Sequence, residues 1–210
     1  MAQRPIPRSL EELITPAHTT LVVWDLQNGM AGHAFDRDTL VGMVSRLIDA
    51  ARAAHVQVTW SRHVLPPPAM SSPPTVRDFM RRQNVERPED VTPFMQDGSE
   101  QVAFVDGLRP EPGDLVIEKS TRSFFVGTSA ELRLRDLDLT TLVLAGASTD
   151  QGIEVTARHA FALGLYPVVV EEAVSSRTRE AHELGLAFLR LTQTDIVSVD
   201  DVVRAWTGEL

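Results

Sequence analysis

The chain of 210 residues contains no cysteine. This absence excludes disulfide bonds, thiolate zinc sites, iron–sulfur clusters and cysteine nucleophiles. An excess of positive charge is also missing, since the formal net charge is -9. Binding to a phosphate backbone needs a clustered positive field, and the one basic cluster, residues 77–83, is short and lies close to acidic residues. We therefore expect no nucleic-acid partner.

Long apolar runs are missing as well. No segment approaches the ~18 apolar residues of a membrane-spanning helix, and the first residues, MAQRPIPRSLEEL, lack the apolar centre of a signal peptide. The histidines show no H-x-H or H-x-x-x-H spacing beside carboxylates, so the sequence predicts no metal site. These observations predict a cytoplasmic protein with no membrane partner and no cofactor.

Short apolar segments alternate with amphipathic ones along most of the chain. The apolar segments predict strands at residues 19–26, 55–61, 114–119, 140–146, 165–172 and 194–199. Helical spacing predicts helices at residues 37–55, 128–137, 150–164 and 178–192. This alternation predicts a single three-layer α/β domain, residues 1–210, with a mainly parallel sheet. Residues 64–112 interrupt the rhythm with prolines and polar residues, which is typical of a functional insertion.

Polar residues cluster at the ends of the predicted strands, where ligands bind in open α/β sheets. Asp25 follows the apolar run LVVW, so its carboxylate begins inside the apolar layer and needs a partner or a proton there. The other candidates at strand ends are Gln27, Asn28, Ser61, Arg62, His63, Glu118, Lys119, Ala147, Ser148, Thr149 and Asp150. Each could also be an ordinary cap, turn or surface residue.

Two motifs near residue 146 are matched only in part. The segment GASTD, residues 146–150, approaches the G-x-S-x-G nucleophile elbow, but Asp150 stands where a small residue is needed. Gly146 and Gly152 also lack the spacing of the dinucleotide-binding motif G-x-G-x-x-G. Neither a serine hydrolase nor a dinucleotide-binding protein is therefore favoured.

Three segments together resemble the isochorismatase-like hydrolase superfamily: VVWDLQNGM, residues 22–30; IEKSTRSFFVGT, residues 117–128; and LAGASTDQGIEVTARHAFALGLYPVVVEEA, residues 144–173. The resemblance extends from about residue 19 to 200. It implies a Rossmann-like αβα fold whose six-stranded parallel sheet has the order 3-2-1-4-5-6. It also implies a non-proline cis peptide between Ala147 and Ser148.

Most members of that superfamily use an Asp, a Lys and a Cys nucleophile. By motif, the Asp corresponds to Asp25, the Lys to Lys119 and the Cys to Gly152. The resemblance further implies that the substrate is bound by Gln27, Arg62, Ser123, Phe125, Ala147, Ser148 and Thr149. Because Gly152 has no side chain, the acyl-enzyme route to amide hydrolysis is lost. The glycine leaves room for a ring or a water.

Members that have Gly at the Cys position cleave an enolpyruvyl ether and release pyruvate. By that resemblance, Asp25 is the general acid that protonates the vinyl carbon, and Lys119 and Arg62 hold substrate carboxylates. The sequence departs from those ether hydrolases at Ser61-Arg62-His63 and at GASTD, which is closer to the amidohydrolase branch. We therefore expect ether hydrolysis first. The alternatives are an amidase in which Asp25 activates water and an inactive small-molecule-binding protein.

The expected partner is a small anionic substrate of secondary metabolism. Residues 64–112 would determine which substrate is bound. Family members commonly form dimers or tetramers, so we expect a homo-oligomer. The tail VVRAWTGEL, residues 202–210, offers an apolar strip with Trp206 that could contribute to such an interface.

Overall fold

The computed structural model describes residues 5–208. Within these residues the strands are β1 (Thr19–Trp24), β2 (Gln57–His63), β3 (Leu115–Lys119), β4 (Thr141–Ala147), β5 (Tyr166–Ser175) and β6 (Asp195–Val197). The α-helices are α1 (Leu10–Leu13), α2 (Asn28–Ala31), α3 (Arg37–Ala53), α4 (Pro73–Gln83), α5 (Ala130–Asp136), α6 (Glu154–Ala162), α7 (Arg179–Arg190) and α8 (Val199–Thr207). In this described part of the chain, no helix is long and apolar enough to cross a membrane.

All six strands are parallel and form one sheet in the order β3-β2-β1-β4-β5-β6. The predicted fold class and strand order are therefore confirmed. The order reverses between β1 and β4, which is the point where ligands bind in open α/β sheets.

Apolar side chains cover both faces of the sheet, which explains why the strands read as continuous apolar runs. In β1, Leu21 and Val23 belong to a core shared with α3 and α8. Val22 and Trp24 point to the opposite face and pack in a second core that includes residues of α5, α6 and α7. This alternation places the indole of Trp24 beneath the start of α6.

Element ends differ from the prediction where local hydrogen bonds decide them. β6 is shorter than predicted because Ser198 caps α8 in a capping box with Asp201. α6 begins at Glu154, and a π-helical turn, Thr149–Ile153, comes before it. In that turn the Gly152 and Ile153 amides both donate to the Ser148 carbonyl, each at 3.1 Å.

The insertion of residues 64–112 contains a helix that the sequence pattern did not predict. α4 begins with Pro73 and Pro74, so the prolines that interrupt the pattern start this helix rather than prevent it. A small apolar cluster of Leu65, Met95 and Val102, with Phe79 packed against it, holds the insertion together. The insertion therefore has an apolar cluster of its own.

The expectation that Trp206 contributes to a subunit interface is wrong. Trp206 lies on α8, is buried, and belongs to the core on the α3 face of the sheet. Its indole N–H donates to the Ile14 carbonyl at 2.9 Å. The apolar strip of the tail is used within the chain, because α8 packs it against α3. Leu210 and Glu209 of the quoted tail lie outside the described residues.

Candidate active site

A cavity of about 570 Å³ opens at the carboxyl ends of the central strands. The strand ends contribute Asp25, His63, Lys119 and Ala147, and α4 of the insertion contributes a wall with Phe79 and Arg82. The other lining residues are Trp24, Gly29, Met30, His33, Leu65, Pro74, Thr75, Asp78, Phe94, Ser120, Thr121, Arg122, Ser148, Asp150, Gln151, Gly152, Ser176 and Arg177. A volume in this range suits a small-molecule ligand.

Asp25 is buried at the end of β1. Its backbone adopts a left-handed conformation, φ 42°, which an Asp tolerates better than most residues and which turns the chain out of the strand. One carboxylate oxygen, Oδ1, accepts a hydrogen bond from the Ser61 hydroxyl. The other, Oδ2, accepts from the Lys119 ammonium at 2.6 Å. Asp25 is thus arranged as an acceptor on the cavity wall.

The ammonium of Lys119 is saturated by its protein partners. Besides Asp25, it donates to the Thr121 carbonyl at 3.2 Å and lies 3.3 Å from Nδ1 of His63. The ring centroid of Trp24 is 4.4 Å away. Because an ammonium has only three protons to donate, none is left for a ligand. These contacts do not support the expectation that Lys119 holds a substrate carboxylate, since they pair its ammonium with Asp25, His63 and the Thr121 carbonyl instead.

His63, a strand-end candidate that was not among the expected substrate-binding residues, is a polar group on the cavity wall. Burial lowers the pKa of His63 from 6.5 to about 4, although the negative charge of Asp25 works in the opposite direction. The imidazole is therefore neutral at pH ~7. Because Lys119 can only donate, Nδ1 of His63 accepts, and the ring proton is on Nε2.

The structure corrects the expectation for Arg62. Ser61 and His63 point to the side of β2 where Asp25 and Lys119 lie, and Arg62 points to the other side, since side chains alternate along a strand. The guanidinium of Arg62 pairs there with Glu118 at 2.6 Å and Asp97 at 2.7 Å. Arg62 is therefore outside the cavity lining.

Four other expected substrate-binding residues also lie behind the cavity wall. The side-chain amide of Gln27 donates to the Val102 carbonyl at 2.8 Å and accepts from the His63 amide at 2.7 Å. Ser123 pairs with His159 at 2.8 Å, Thr149 pairs with His182 at 3.0 Å, and Phe125 stacks edge-on against His159. These contacts fix the loops that form the site. Ala147 and Ser148 do line the cavity, and their peptide bond is cis.

Gly152, at the position of the family's nucleophile, lies against Trp24. A Cβ built on Gly152 would be 2.7 Å from Cε2 and 2.9 Å from Cζ2 of that indole, and closer still to Nε1. Such distances are shorter than any real carbon contact, and Trp24 is buried, so it has little freedom to move. The space left by the missing cysteine side chain is thus filled by the indole of Trp24.

The outer part of the cavity carries three guanidinium groups. Arg82 and Arg122 both pair with Asp78, at 2.9 and 3.5 Å. Arg177 follows β5, is exposed, and forms no ion pair with the described residues. Although the whole chain is acidic, this rim presents an excess of positive charge, which favours an anionic ligand. Within residues 5–208 no group of three or more His, Asp or Glu side chains could hold a metal ion.

The comparison with known proteins identifies the family. The Isochorismatase domain family matches residues 19–201. The chain therefore belongs to the isochorismatase family of hydrolases, as the three sequence segments indicated, and it is a member without the cysteine nucleophile.

Individual relatives add detail. The chain is 32% identical over 200 residues to the ureidoacrylate amidohydrolase RutB of Methylobacterium radiotolerans, which covers 88% of this chain and 76% of that protein. It is 30% identical over 197 residues to the uncharacterized isochorismatase family protein YecD of Escherichia coli O157:H7, covering 89% and 95%. A cysteine hydrolase structure from Pseudomonas syringae superposes with a TM-score of 0.83 at 19% identity, covering 99% of both chains.

These relatives bear on the expected reaction. RutB is named for hydrolysis of an amide-type bond, so the comparisons do not support the expectation that ether hydrolysis is preferred over amide hydrolysis.

Proposed function

We propose that this chain hydrolyses an amide or ureido C–N bond in a small carboxylate-bearing substrate, with Asp25 activating water and no covalent intermediate. The observation that carries the proposal is the arrangement of Asp25. Its carboxylate lines the cavity while Lys119 and Ser61 both donate to it. A carboxylate held in this way is placed to accept a proton from a water in the cavity.

The proposed reaction needs no nucleophilic side chain. Asp25 takes a proton from a water, and the hydroxide adds to the substrate carbonyl carbon to give a tetrahedral intermediate. The C–N bond then breaks, and the leaving nitrogen takes the proton that Asp25 acquired. Lys119, 2.6 Å from Oδ2, stabilises the charge of the carboxylate before and after the proton transfer.

The substrate class rests on two further observations. The relatives named ureidoacrylate amidohydrolase act, by that name, on a compound with a ureido group and a carboxylate. The cavity rim of this chain offers the guanidinium of Arg177, which can bind a carboxylate through two parallel hydrogen bonds. The neutral site at Asp25–Lys119 would then face the uncharged ureido or amide group.

Enolpyruvyl ether hydrolysis is the second candidate. Gly152 at the nucleophile position and the cationic rim both suit it. That reaction needs Asp25 to give a proton to a vinyl carbon, whereas both contacts of its carboxylate are donors. The C–N reaction is therefore ranked first.

The test is a substrate panel containing ureido acids, ω-amido acids and an enolpyruvyl ether, assayed with the wild type for ammonia and for pyruvate. Ammonia release supports the proposal, and pyruvate release alone supports the ether hydrolase. Absence of any turnover, together with thermal stabilisation by a panel member, would indicate an inactive small-molecule-binding protein instead.

A further inference from the structure

The indole of Trp24 has a hydrogen-bond donor that the fold does not use. The indole N–H groups of the other two tryptophans bind protein acceptors. Trp60 donates to Asp114 at 2.8 Å, and Trp206 donates to the Ile14 carbonyl at 2.9 Å. Among the described residues, no group accepts a hydrogen bond from Nε1 of Trp24. A buried indole N–H normally finds a partner, because an unpaired donor removed from water is destabilising.

The unused N–H of Trp24 lies at the cavity surface. Trp24 is only 1% exposed, yet no fully enclosed side-chain nitrogen or oxygen in the described chain lacks a partner. Nε1 must therefore belong to the small part of Trp24 that remains accessible. Because Trp24 lines the cavity beside Asp25, that part faces the place where a ligand binds.

The position of Nε1 relative to Gly152 indicates what this donor could bind. Of the three indole atoms near a Cβ built on Gly152, Nε1 is the nearest. In relatives with a cysteine at this position, the side chain attacks the substrate carbonyl carbon. The N–H of Trp24 thus stands beside the point where a substrate carbonyl must lie.

We infer that Trp24 is a substrate-binding residue whose indole N–H donates a hydrogen bond to the carbonyl oxygen of the substrate. This inference rests on the proposed function, since it assumes a substrate that carries a carbonyl group. The donor stabilises the oxygen as it gains negative charge during attack by water. Lys119 cannot do so, because all three of its protons are already donated within the protein.

The surroundings of Trp24 suit such a donor. The Lys119 ammonium lies 4.4 Å from the ring centroid, and its positive charge withdraws electron density from the indole and strengthens the N–H as a donor. Phe124 packs against the same indole with ring centroids 6.0 Å apart and limits its motion. The donor is therefore fixed in direction before the substrate binds.

The test separates the N–H from the ring. Trp24→Phe removes the donor and keeps an aromatic side chain, and replacement of Trp24 by benzothienylalanine exchanges only N–H for sulfur and serves if the Phe variant does not fold. Trp206→Phe is the matched control, because its N–H bonds within the fold and away from the cavity. The substrates are β-ureidopropionate and its sulfur analogue β-thioureidopropionate, whose C=S group is a poor acceptor.

Loss of the N–H is expected to lower kcat for the ureido substrate ~10²–10³-fold, as removal of one oxyanion donor does. The loss should be much smaller for the thio analogue, and Trp206→Phe should change neither. A purely space-filling Trp24 would affect both substrates alike. Equal losses for the two substrates, or unchanged kinetics in a folded Trp24 variant, would overturn the inference.

A binding measurement distinguishes failure of this inference from failure of the proposed function. If the wild type hydrolyses neither compound, the proposed function fails, and calorimetric titration with β-ureidopropionate still tests Trp24. Binding that weakens at least tenfold in Trp24→Phe, but not in Trp206→Phe, retains the donor role. Binding that is equal in the two variants, or absent in the wild type, overturns it.

Discussion

The indole of Trp24 occupies the space that a side chain at residue 152 would need. A Cβ on Gly152 would lie within 3 Å of three indole atoms, two of them at 2.7 and 2.9 Å. Gly152 and Trp24 therefore depend on each other, and a Gly152→Cys substitution alone cannot restore a cysteine site. The indole N–H of Trp24, a hydrogen-bond donor, thus lies where the side chain of a cysteine nucleophile would begin.

Gly152→Ala is expected to destabilise the protein by ~1–3 kcal/mol, because the added methyl overpacks a buried indole. Urea unfolding measures the change. Gly42→Ala on α3 is the control: nothing lies within 4 Å of its added Cβ, so it should be neutral or slightly stabilising. The cost at residue 152 should also shrink in a Trp24→Leu background, and an unchanged cost there would contradict the packing argument.

Lys119→Met is expected to cost ~3–5 kcal/mol of unfolding free energy, because it leaves the buried carboxylate of Asp25 without its counter-charge. Adding Asp25→Asn should recover part of that loss, since the unpaired charge is then gone. A double-mutant cycle by urea unfolding provides the measurement. Simple additivity of the two single changes would show that the ion pair does not stabilise the folded site.

Protonation of His63 is expected to destabilise the protein in acid. Burial lowers its pKa from 6.5 to about 4, so between these values the unfolded chain binds a proton that the folded chain does not. Stability from this residue is full above pH 6.5 and falls as the pH falls to about 4. At ~1.4 kcal/mol per pH unit the loss is at most ~3.5 kcal/mol.

His63→Gln isolates this contribution. Urea unfolding of the wild type and the variant between pH ~7 and ~4.5 should show a smaller decrease for the variant. His182, whose pKa is also lowered chiefly by burial, is present in both proteins, so its effect cancels. Parallel pH profiles for the two proteins would refute the assignment.

Much of the fold follows from the sequence, since buried parallel strands require continuous Val, Leu and Ile on both faces. Asp25 and Lys119 could be predicted because both end strands on the ligand-binding edge of the sheet. Strict alternation along β2 would also have favoured His63 over Arg62, since Ser61 and His63 share a face. That signal was available in the sequence.

Other parts of the site could not be predicted. The contact of Trp24 with Gly152 depends on how β1 packs under the turn before α6, which no local pattern records. The rim arginines come from α4, from the loop after β3 and from the loop after β5. Only the folded chain brings such distant segments together.

Arg177 lines the cavity and Arg62 does not, so substituting each in turn tests whether the cavity rim binds the substrate carboxylate. Arg177→Ala is expected to raise KM for a ureido acid, because a hydrogen bond to a charged group is worth ~1.5–3 kcal/mol, or roughly tenfold to a hundredfold. Arg62→Ala should leave KM unchanged, since its guanidinium pairs with Asp97 and Glu118 outside the cavity. The opposite pattern in steady-state kinetics would restore Arg62 to the site and remove Arg177.

The most direct test of water activation by Asp25 is kcat/KM for ureido-acid hydrolysis, measured as ammonia release, in the wild type and in Asp25→Asn. The amide keeps the size of the carboxylate but cannot accept the proton of water. We predict a decrease of ~10²–10⁴-fold with the fold intact. A folded Asp25→Asn variant that hydrolyses the substrate at the wild-type rate would contradict the account.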